Sequence, residues 1–266
     1  MDFASPNQAI AINSKAGWTV IMNNKNRQLG LIFSRRDVLA LFRTAGTAIL
    51  VVGCIPRKSS VANSAMLPAC VLSPEQTEGP YFVDEKLNRS DIRSDPADGS
   101  VKDGVPLYLT LQVSQIGNTG CTPLAGTIID VWHCDALGVY SDVKDQSFST
   151  VGQKFLRGYQ VSNANGTVQF TTIYPGWYQG RTVHIHFKVR TDATLKQPYE
   201  FTSQLYFDDS ITDQVHTQTL YASKGQRTQK NADDGIFQSD GDQMVLKLTK
   251  KGQGYAATFN IGLRIT

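Results

Sequence analysis

The sequence predicts an all-β domain, an antiparallel β-sandwich with long loops, over residues 70–266. Three observations support this fold class: short segments in which apolar and polar residues alternate, turn-forming residues between those segments, and few segments with helical periodicity. The chain has 266 residues, of which 41% are hydrophobic, and this is enough to bury a sizeable core. No internal repeat is visible, which argues against a solenoid or a propeller.

Strand patterns follow one another from residue 107 onwards. Apolar residues alternate with other residues between Leu107 and Val113, which is typical of a half-buried strand. Further strands are predicted at 127–132, 158–162, 167–173, 182–190, 201–207, 243–249 and 255–261. The sequence NANG at 163–166 predicts a hairpin turn between the second and the third of these. The best helix candidate is Asp209–Ser223, and the longest loops, 134–157 and 208–242, have lengths that favour a functional role.

The first 53 residues have the features of an export signal. Residues 34–39 (SRRDVL) resemble a twin-arginine signal, and the apolar stretch 38–53 is shorter than the ~20 residues that a transmembrane helix needs. Residues 51–54 (VVGC) resemble a lipobox, which makes Cys54 a candidate lipid anchor. An ordinary signal peptide and an uncleaved amphipathic helix are the alternatives. We expect an export signal at 1–53, a tether at 54–69, and a periplasmic or membrane-anchored extracytoplasmic protein.

The distribution of charge separates this leader from the rest of the chain. The first 53 residues carry six basic and two acidic side chains, of 26 and 23 in the whole chain, so the remainder has a formal net charge of −1. The predicted domain therefore has no excess positive charge that would favour nucleic-acid binding. Its cysteines, Cys70, Cys121 and Cys134, lack the CxxC spacing of zinc sites. One disulfide bond among them is expected in an oxidising compartment, and the sequence leaves the pairing open.

His184 and His186 are the first candidate metal ligands. Residues i and i+2 of a strand point to the same face, so the two imidazoles would lie side by side and could bind one metal ion. The alternative interpretation is a polar strand face with two solvated histidines. Tyr174 strengthens the metal interpretation, because the turn predicted at Pro175 and Gly176 would bring its side chain back over the histidines.

Five separated segments resemble the intradiol ring-cleavage dioxygenases, in the order in which that family has them. The segments are 77–81 (TEGPY), 131–140 (VWHCDALGVY), 155–159 (FLRGY), 174–187 (YPGWYQGRTVHIHF) and 203–207 (SQLYF). Five ordered blocks are far more specific than a single HIH motif. The chain resembles the protocatechuate 3,4-dioxygenase-like core, in an exported or lipoprotein-type branch of the family.

The resemblance implies a non-haem iron(III) site with two tyrosinate and two histidine ligands. Carried onto this chain, the ligands would be Tyr140, Tyr174, His184 and His186. In this assignment Tyr174 is also the ligand that the substrate displaces and that accepts a substrate proton. Phenolate is a hard anionic donor that suits a trivalent ion, and the charge of the metal would lower the phenol pKa from its ordinary value near 10.

The resemblance also implies residues that act on the substrate. Arg181 would stabilise negative charge on the substrate, because its guanidinium stays positively charged. Gln204 would orient the bound reactants. Pro80, Tyr81 and Trp177 would line the substrate pocket.

The function implied by the resemblance is the cleavage, with O2, of a catechol-type ring between its two hydroxyl-bearing carbons, which gives a muconate-type diacid. The expected partners are the catechol-type substrate, O2, and further copies of the chain. These copies would form a homo-oligomer, and the sequence leaves the number of subunits open. Two alternatives stay open. One is zinc or copper in the same site, since imidazole suits both. The other is a non-catalytic cell-surface β-sandwich binding module, in which the same tyrosines and histidines form an aromatic patch without a metal.

Overall fold

The computed structural model describes residues 71–118, 120–145, 148–191 and 198–265, together with the backbone of two short strands near the amino terminus. The chain divides into two units, residues 1–62 and 63–266. In the first unit, only the antiparallel pair β1 (Ile12–Asn13) and β2 (Thr19–Val20) is described. The twin-arginine-like motif, the apolar stretch, the tether and Cys54 all lie outside the described residues.

The second unit consists mainly of β-strands. In chain order its elements are β3 (Pro106–Gly117), β4 (Gly120–Pro123), β5 (Ile128–Trp132), β6 (Arg157–Val161), β7 (Thr167–Ile173), β8 (His184–Arg190), β9 (Glu200–Tyr206), α1 (Asp209–Val215), α2 (Thr219–Ala222), β10 (Thr249–Lys251) and β11 (Gly254–Leu263). Two short 3-10 helices, Asn231–Asp233 and Gly241–Met244, lie between α2 and β10.

The strands form two sheets. One sheet has the order β10-β11-β3-β4, with β7 also paired to β3, and the other has the order β6-β5-β8-β9. The second sheet is antiparallel throughout. The first is mixed, because β3 and β11 run parallel, from Leu107 opposite Tyr255 to Gln115 opposite Leu263. The predicted all-β sandwich is therefore confirmed, with one parallel strand pair inside it.

Two local predictions are wrong, although most predicted strands coincide with observed ones to within a few residues. β6 pairs with β5 and β7 pairs with β3, so residues 163–166 connect the two sheets instead of closing a hairpin. The segment 243–249 was expected to be a strand, but its start belongs to the 3-10 helix Gly241–Met244 and its end to β10. Apolar alternation over so few residues does not separate a strand from a short helical turn.

The main apolar core lies between the sheets. Leu107, Leu109 and Leu111 alternate with less buried residues along β3, and they belong to the same apolar cluster as Ile129 and Ile185 of the second sheet. Burial of each such side chain contributes about 2 kcal/mol relative to exposure. Strand β8 is buried on both faces from its first residue to its sixth, so its histidines are enclosed by protein.

The predicted helix Asp209–Ser223 is present as two shorter helices. Asp208 begins α1, because its carboxylate accepts hydrogen bonds from the backbone N–H groups of Ser210 and Ile211. α1 ends at Val215, and α2 follows after Gln218. Within the described part of the chain, no helix has the length and apolar character needed to cross a membrane.

The two cysteines in the described part of the second unit differ in their state. Cys121 is disulfide-bonded, whereas Cys134 is a free and buried thiol. Burial raises the pKa of the Cys134 thiol, which keeps it protonated and unreactive. Cys121 therefore takes part in a disulfide bond, as one of the three cysteines was expected to, and Cys134 does not.

Candidate metal centre

The two histidines of β8 meet at their outer nitrogen atoms. The Nε2 atoms of His184 and His186 are 3.0 Å apart, and both side chains are only 2% exposed. The strand places them together because residues two apart point to the same face. This burial excludes the alternative of two solvated histidines on a polar strand face.

Neighbouring groups fix the orientation of both imidazole rings. The Nδ1 atom of His184 is 2.6 Å from the carbonyl oxygen of Thr182 and must donate to it, so the Nε2 atom of His184 carries the lone pair. The ring of His186 stacks on Trp132, with centroids 5.0 Å apart and planes 6° apart. Gly79 passes close to the same ring, since a Cβ atom added there would lie 3.3 Å from its Cε1 atom. The hydrogen bond of His184 to Thr182 is of the kind that orients metal-binding histidines, whereas the buried Nδ1 atom of His186 has no hydrogen-bond partner among the described residues.

Two tyrosines complete the cluster. The hydroxyl of Tyr178 lies 3.2 Å from the Nε2 atom of His184. The ring of Tyr140 meets Tyr178 edge-on at 5.7 Å and lies 6.3 Å from His186, in each case between ring centroids. The Tyr140 hydroxyl is fully buried and makes no hydrogen bond of normal geometry to any described residue. We call Tyr140, Tyr178, His184 and His186 the Tyr-His cluster.

Tyr174, which was expected to be a ligand and a catalytic residue, is not part of this cluster. Its hydroxyl is 2.7 Å from the Oγ1 atom of Thr212, and its ring packs against Phe207 and Tyr255 in the main core. Its backbone N–H donates to Val105, which extends the pairing of β7 with β3 and directs the residue into the sandwich. Tyr178, four residues later and past the turn, has the position beside the histidines that was assigned to Tyr174.

Burial sets the protonation state of the cluster in the protein alone. It lowers the pKa of His184 to about 3, an effect that the nearby Arg181 increases, and it lowers the pKa of His186 well below its ordinary value. Burial also raises the pKa of Tyr140 and of Tyr178. The imidazoles are therefore neutral donors, and an ionised phenolate at this place requires a positive charge beside it.

Arg181 and Gln204 contact one another next to the cluster. The Nη2 atom of Arg181 donates to the Oε1 atom of Gln204 at 2.6 Å, and Gln204 lies opposite His186 in the pairing of β8 with β9. The Nε2 atom of Gln204 donates to the carbonyl oxygen of Thr77 at 2.8 Å. The structure thus brings both predicted residues to the cluster and ties them to the segment that contains Gly79.

The three residues expected to line a pocket lie in different surroundings. The ring of Tyr81 lies 4.7 Å from that of Tyr140, and its hydroxyl donates to Asp145 at 2.7 Å. Burial, together with Asp145, raises the pKa of Tyr81 to about 12. Pro80 is exposed, next to Tyr81 in the chain. Trp177 is turned away towards α2, because its indole N–H donates to the carbonyl oxygen of Gly225 and its ring lies under the Lys224 ammonium.

Two candidate functional residues, Tyr178 and Asp234, were not predicted from the sequence. Tyr178 lies within the quoted segment 174–187, and its place after the Pro175-Gly176 turn was the available signal for it. Asp234 accepts a hydrogen bond of 2.8 Å from the Nε atom of Arg181. It lies in the long loop 208–242, where no local pattern distinguishes it from the other acidic residues.

The donor set fits a metal with phenolate ligands. Two nitrogen donors at about 2.1 Å from one ion and at right angles to each other would be about 3.0 Å apart, which matches the observed separation of the Nε2 atoms. Across the described ranges, no three His, Cys, Asp or Glu side chains form a cluster that could hold a metal ion. Any ion bound between the imidazoles would therefore take its further protein ligands from Tyr140 and Tyr178. An exposed aromatic binding patch does not fit, because Tyr140 and both histidines are buried.

Comparison with known proteins identifies relatives of this domain. A family model described as Dioxygenase matches residues 77–264. The protocatechuate 3,4-dioxygenase beta chain of Burkholderia cepacia is 30% identical over 218 residues, which cover 78% of this chain and 86% of that relative. A chlorocatechol 1,2-dioxygenase of Pseudomonas sp. (strain P51) is 33% identical over 104 residues, and this match covers 32% of this chain and 38% of that relative. The solved structure of an intradiol ring-cleavage dioxygenase from Tetranychus urticae is 32% identical, with a TM-score of 0.62, and the match covers 73% of this chain and 95% of the other.

Proposed function

The chain belongs to the family of intradiol ring-cleavage dioxygenases, and on this premise we propose that it is a non-haem iron(III) enzyme. It would open a catechol-type ring with O2 between the two hydroxyl-bearing carbons and release a muconate-type diacid. The single observation that carries the proposal is the Tyr-His cluster, in which two imidazole Nε2 atoms 3.0 Å apart adjoin the hydroxyl of Tyr178.

The ligands in this proposal are Tyr140, Tyr178, His184 and His186. Two phenolates offset two of the three charges of iron(III), which favours the ferric ion over a divalent one. When bound, iron(III) supplies Lewis-acid chemistry that draws electron density from a catecholate ligand. The hydrogen bond from His184 to Thr182 and the stacking of His186 on Trp132 keep both Nε2 atoms aimed at one point.

Tyr178 takes over the role that the family resemblance gave to Tyr174. Its side chain is only partly buried, whereas Tyr140 is fully enclosed, so Tyr178 is the tyrosine that an incoming substrate reaches. In the proposed reaction the Tyr178 oxygen accepts a proton from a catechol hydroxyl. Tyr140 and both histidines remain in place throughout.

Arg181 and Gln204 are proposed to act on the bound substrate. The guanidinium is cationic at all working pH values, and it is held beside the cluster by Gln204. A fixed positive charge at this point stabilises negative charge that develops on the ring and on its oxygens. The rings of Tyr81 and Trp132 pack against Tyr140 and His186 and keep water from that side of the cluster.

The visible absorption spectrum of the purified protein tests the proposal. A ferric tyrosinate site gives a broad band in the visible range, and anaerobic addition of catechol should shift that band to longer wavelength. Turnover of catechol in air should then consume one O2 per ring and yield the diacid. A protein that stays colourless after loading with iron(III) would overturn the iron assignment and favour zinc, copper or a binding module.

We also propose that the protein is exported and acts outside the cytoplasm. The proposal depends on the twin-arginine-like residues 34–39 and on the lipobox-like residues 51–54. Cell fractionation should recover the mature protein in the periplasm or with the membrane, and replacement of Arg35 and Arg36 by Lys should retain it in the cytoplasm. A Cys54→Ala variant that leaves the membrane fraction would identify Cys54 as the lipid anchor. An unchanged distribution would argue for an ordinary signal peptide.

A further inference from the structure

Asp234 lies behind Arg181 and is enclosed by N–H donors. Its Oδ2 atom accepts hydrogen bonds from the Nε atom of Arg181 and from the backbone N–H of Thr182, both at 2.8 Å. Its Oδ1 atom accepts from the backbone N–H groups of Ile236 and Phe237, at 2.9 and 3.0 Å. The carboxylate is 1% exposed, so these four donors replace its hydration.

The contact with Asp234 leaves the Arg181 guanidinium little freedom to rotate. The planar group donates to Asp234 through Nε and to Gln204 through Nη2, so two bonds at different corners define its plane. Gln204 is itself held on both sides, by Thr77 and by the hydroxyl of Tyr206. The orientation of the cation thus depends on a chain of contacts that begins at Asp234.

The same loop segment also contacts the start of β8. Asn231 accepts a hydrogen bond of 2.6 Å from the Thr182 hydroxyl and donates to the carbonyl oxygen of Phe207. Thr182 in turn accepts from the Nδ1 atom of His184. Asp234 therefore fixes Arg181, and Asn231 and Asp234 together fix Thr182, the residue that orients His184.

We propose that Asp234 is a positioning residue for ring cleavage, which holds the Arg181 guanidinium in the orientation needed to stabilise charge on the substrate. This inference depends on the proposed function. A buried ion pair is weak evidence for stability, because apolar residues of similar volume often stabilise a fold as well or better. The hydrogen bonds that Arg181 donates to Asp234 and to Gln204 are specific in direction, however, and direction is what a charge-stabilising group requires.

Asp234→Asn is the informative substitution. An amide has one acceptor oxygen where the carboxylate has two, so either the pair Arg181 and Thr182 or the pair Ile236 and Phe237 loses its acceptor. We expect kcat/KM for catechol to fall about 10- to 100-fold, as is typical when a supporting hydrogen bond is removed. The loss should fall on kcat, while the ferric band and the anaerobic Kd for catechol stay within about twofold of wild type.

Asp233→Asn is the matched control, because it removes the same charge from the adjacent, exposed position. In an Arg181→Met background, adding Asp234→Asn should change kcat/KM less than about twofold, because the group that it positions is gone. A crystal structure of Asp234→Asn should show the guanidinium displaced from Gln204. Asp234→Glu, which keeps the charge but displaces the carboxylate by one methylene, should lower kcat less than Asp234→Asn does, and it replaces that variant if the latter does not fold.

The outcomes separate this inference from the function on which it depends. A wild-type protein that does not cleave catechol would overturn both. An active wild type with Asp234→Asn indistinguishable from Asp233→Asn in kcat, or with additive effects in the Arg181→Met background, would overturn the positioning role alone.

Discussion

Two groups of buried aromatic and histidine side chains lie in the same domain, and they use their polar atoms differently. In the main core, the hydroxyl of Tyr174 pairs with a threonine, and that of Tyr221 donates to one backbone group and accepts from another. In the Tyr-His cluster, the Tyr140 hydroxyl has no hydrogen bond of normal geometry to the described residues, and His184 and His186 direct nitrogen atoms at each other. Buried tyrosines occur in both groups, and the pairing of their polar atoms differs.

This is the difference expected between an ion-binding site, as proposed for the cluster, and a polar core. A buried hydroxyl or imidazole without a partner costs about 1–3 kcal/mol, so it persists only where another gain offsets that cost. In the core the cost is avoided because every hydroxyl named above is paired. In the cluster the Tyr140 hydroxyl lacks such a partner and the two imidazole Nε2 atoms face each other, and a bound cation would contact all three of these atoms together.

The largest effect is expected from removing the Tyr178 hydroxyl. Tyr178→Phe should lose most of its iron or lower kcat/KM at least about 1,000-fold, since loss of a ligand exceeds the 10- to 100-fold typical of an outer partner. Iron content and the visible band measure the first effect, and catechol turnover measures the second. Tyr174→Phe, the matched control on the other side of the turn, should keep both. The reverse result would restore Tyr174 as the ligand.

A smaller effect is expected from the turn that separates the two tyrosines. A Cβ atom on Gly176 would lie 2.2 Å from the carbonyl oxygen of Ala136 and 2.7 Å from that of Asp135, both of which are backbone atoms. Gly176→Ala should therefore cost about 3 kcal/mol of unfolding free energy and lower iron content, because the loop carrying Tyr178 must shift. Gly235→Ala, where nothing lies within 4 Å, is the control and should leave both quantities near wild type.

A third prediction concerns a buried charge that has a partner. Asp130 is paired with Arg190 at 2.8 Å, yet burial raises the pKa of its carboxyl from 3.8 to about 6. The folded state therefore binds this proton more tightly than the unfolded chain, and the associated stability is complete below pH 4 and lost as the pH rises through 6. Relative to Asp130→Asn, the wild type should lose on the order of 2 kcal/mol between pH 4 and pH 7. Denaturant unfolding at both pH values measures this, and parallel pH profiles would contradict it.

The smallest effect is expected in the paired core. Tyr174→Phe removes the hydrogen bond with Thr212 but leaves the ring in its packing against Phe207. The free energy of unfolding should fall by about 1 kcal/mol, the typical net contribution of one hydrogen bond, while the visible band is unchanged. A loss of several kcal/mol would contradict this prediction, because the Thr212 hydroxyl keeps its hydrogen bond to the carbonyl oxygen of Asp208 in the variant.

The sequence was sufficient to predict the sandwich and the histidine pair. Periodicity of two along β3 and β8 is a local property, so it identifies the strands and places His184 and His186 on one face without further information. The position of Tyr174 or Tyr178 relative to those histidines depends on how the chain leaves the Pro175-Gly176 turn. That path is set by the close approach of Gly176 to Ala136, which is a tertiary contact.

Other features could not be predicted from the sequence for the same reason. Residues 163–166 form a tight turn as expected, but which sheet each flanking strand joins depends on partners far away in the chain. The acceptor of Arg181 comes from a loop about 50 residues further on, and Trp177 is drawn to Gly225 by a hydrogen bond with another loop. Hydrophobic alternation and turn-forming residues describe how neighbouring residues in the chain are arranged. These contacts, in contrast, join segments that are far apart in the sequence.

The parallel pairing of β3 with β11 also affects the order in which the domain can form. The sheet that carries the histidines uses strands between residues 128 and 206, and β5–β6 and β8–β9 are consecutive pairs. The other sheet needs its first long strand to pair with the last one, across nearly the whole domain. Closing so long a loop costs entropy before any contact is gained, which slows folding of such topologies. During synthesis, one edge of β3 therefore stays open until β11 emerges, and that edge is where we expect the newly made protein to need a chaperone.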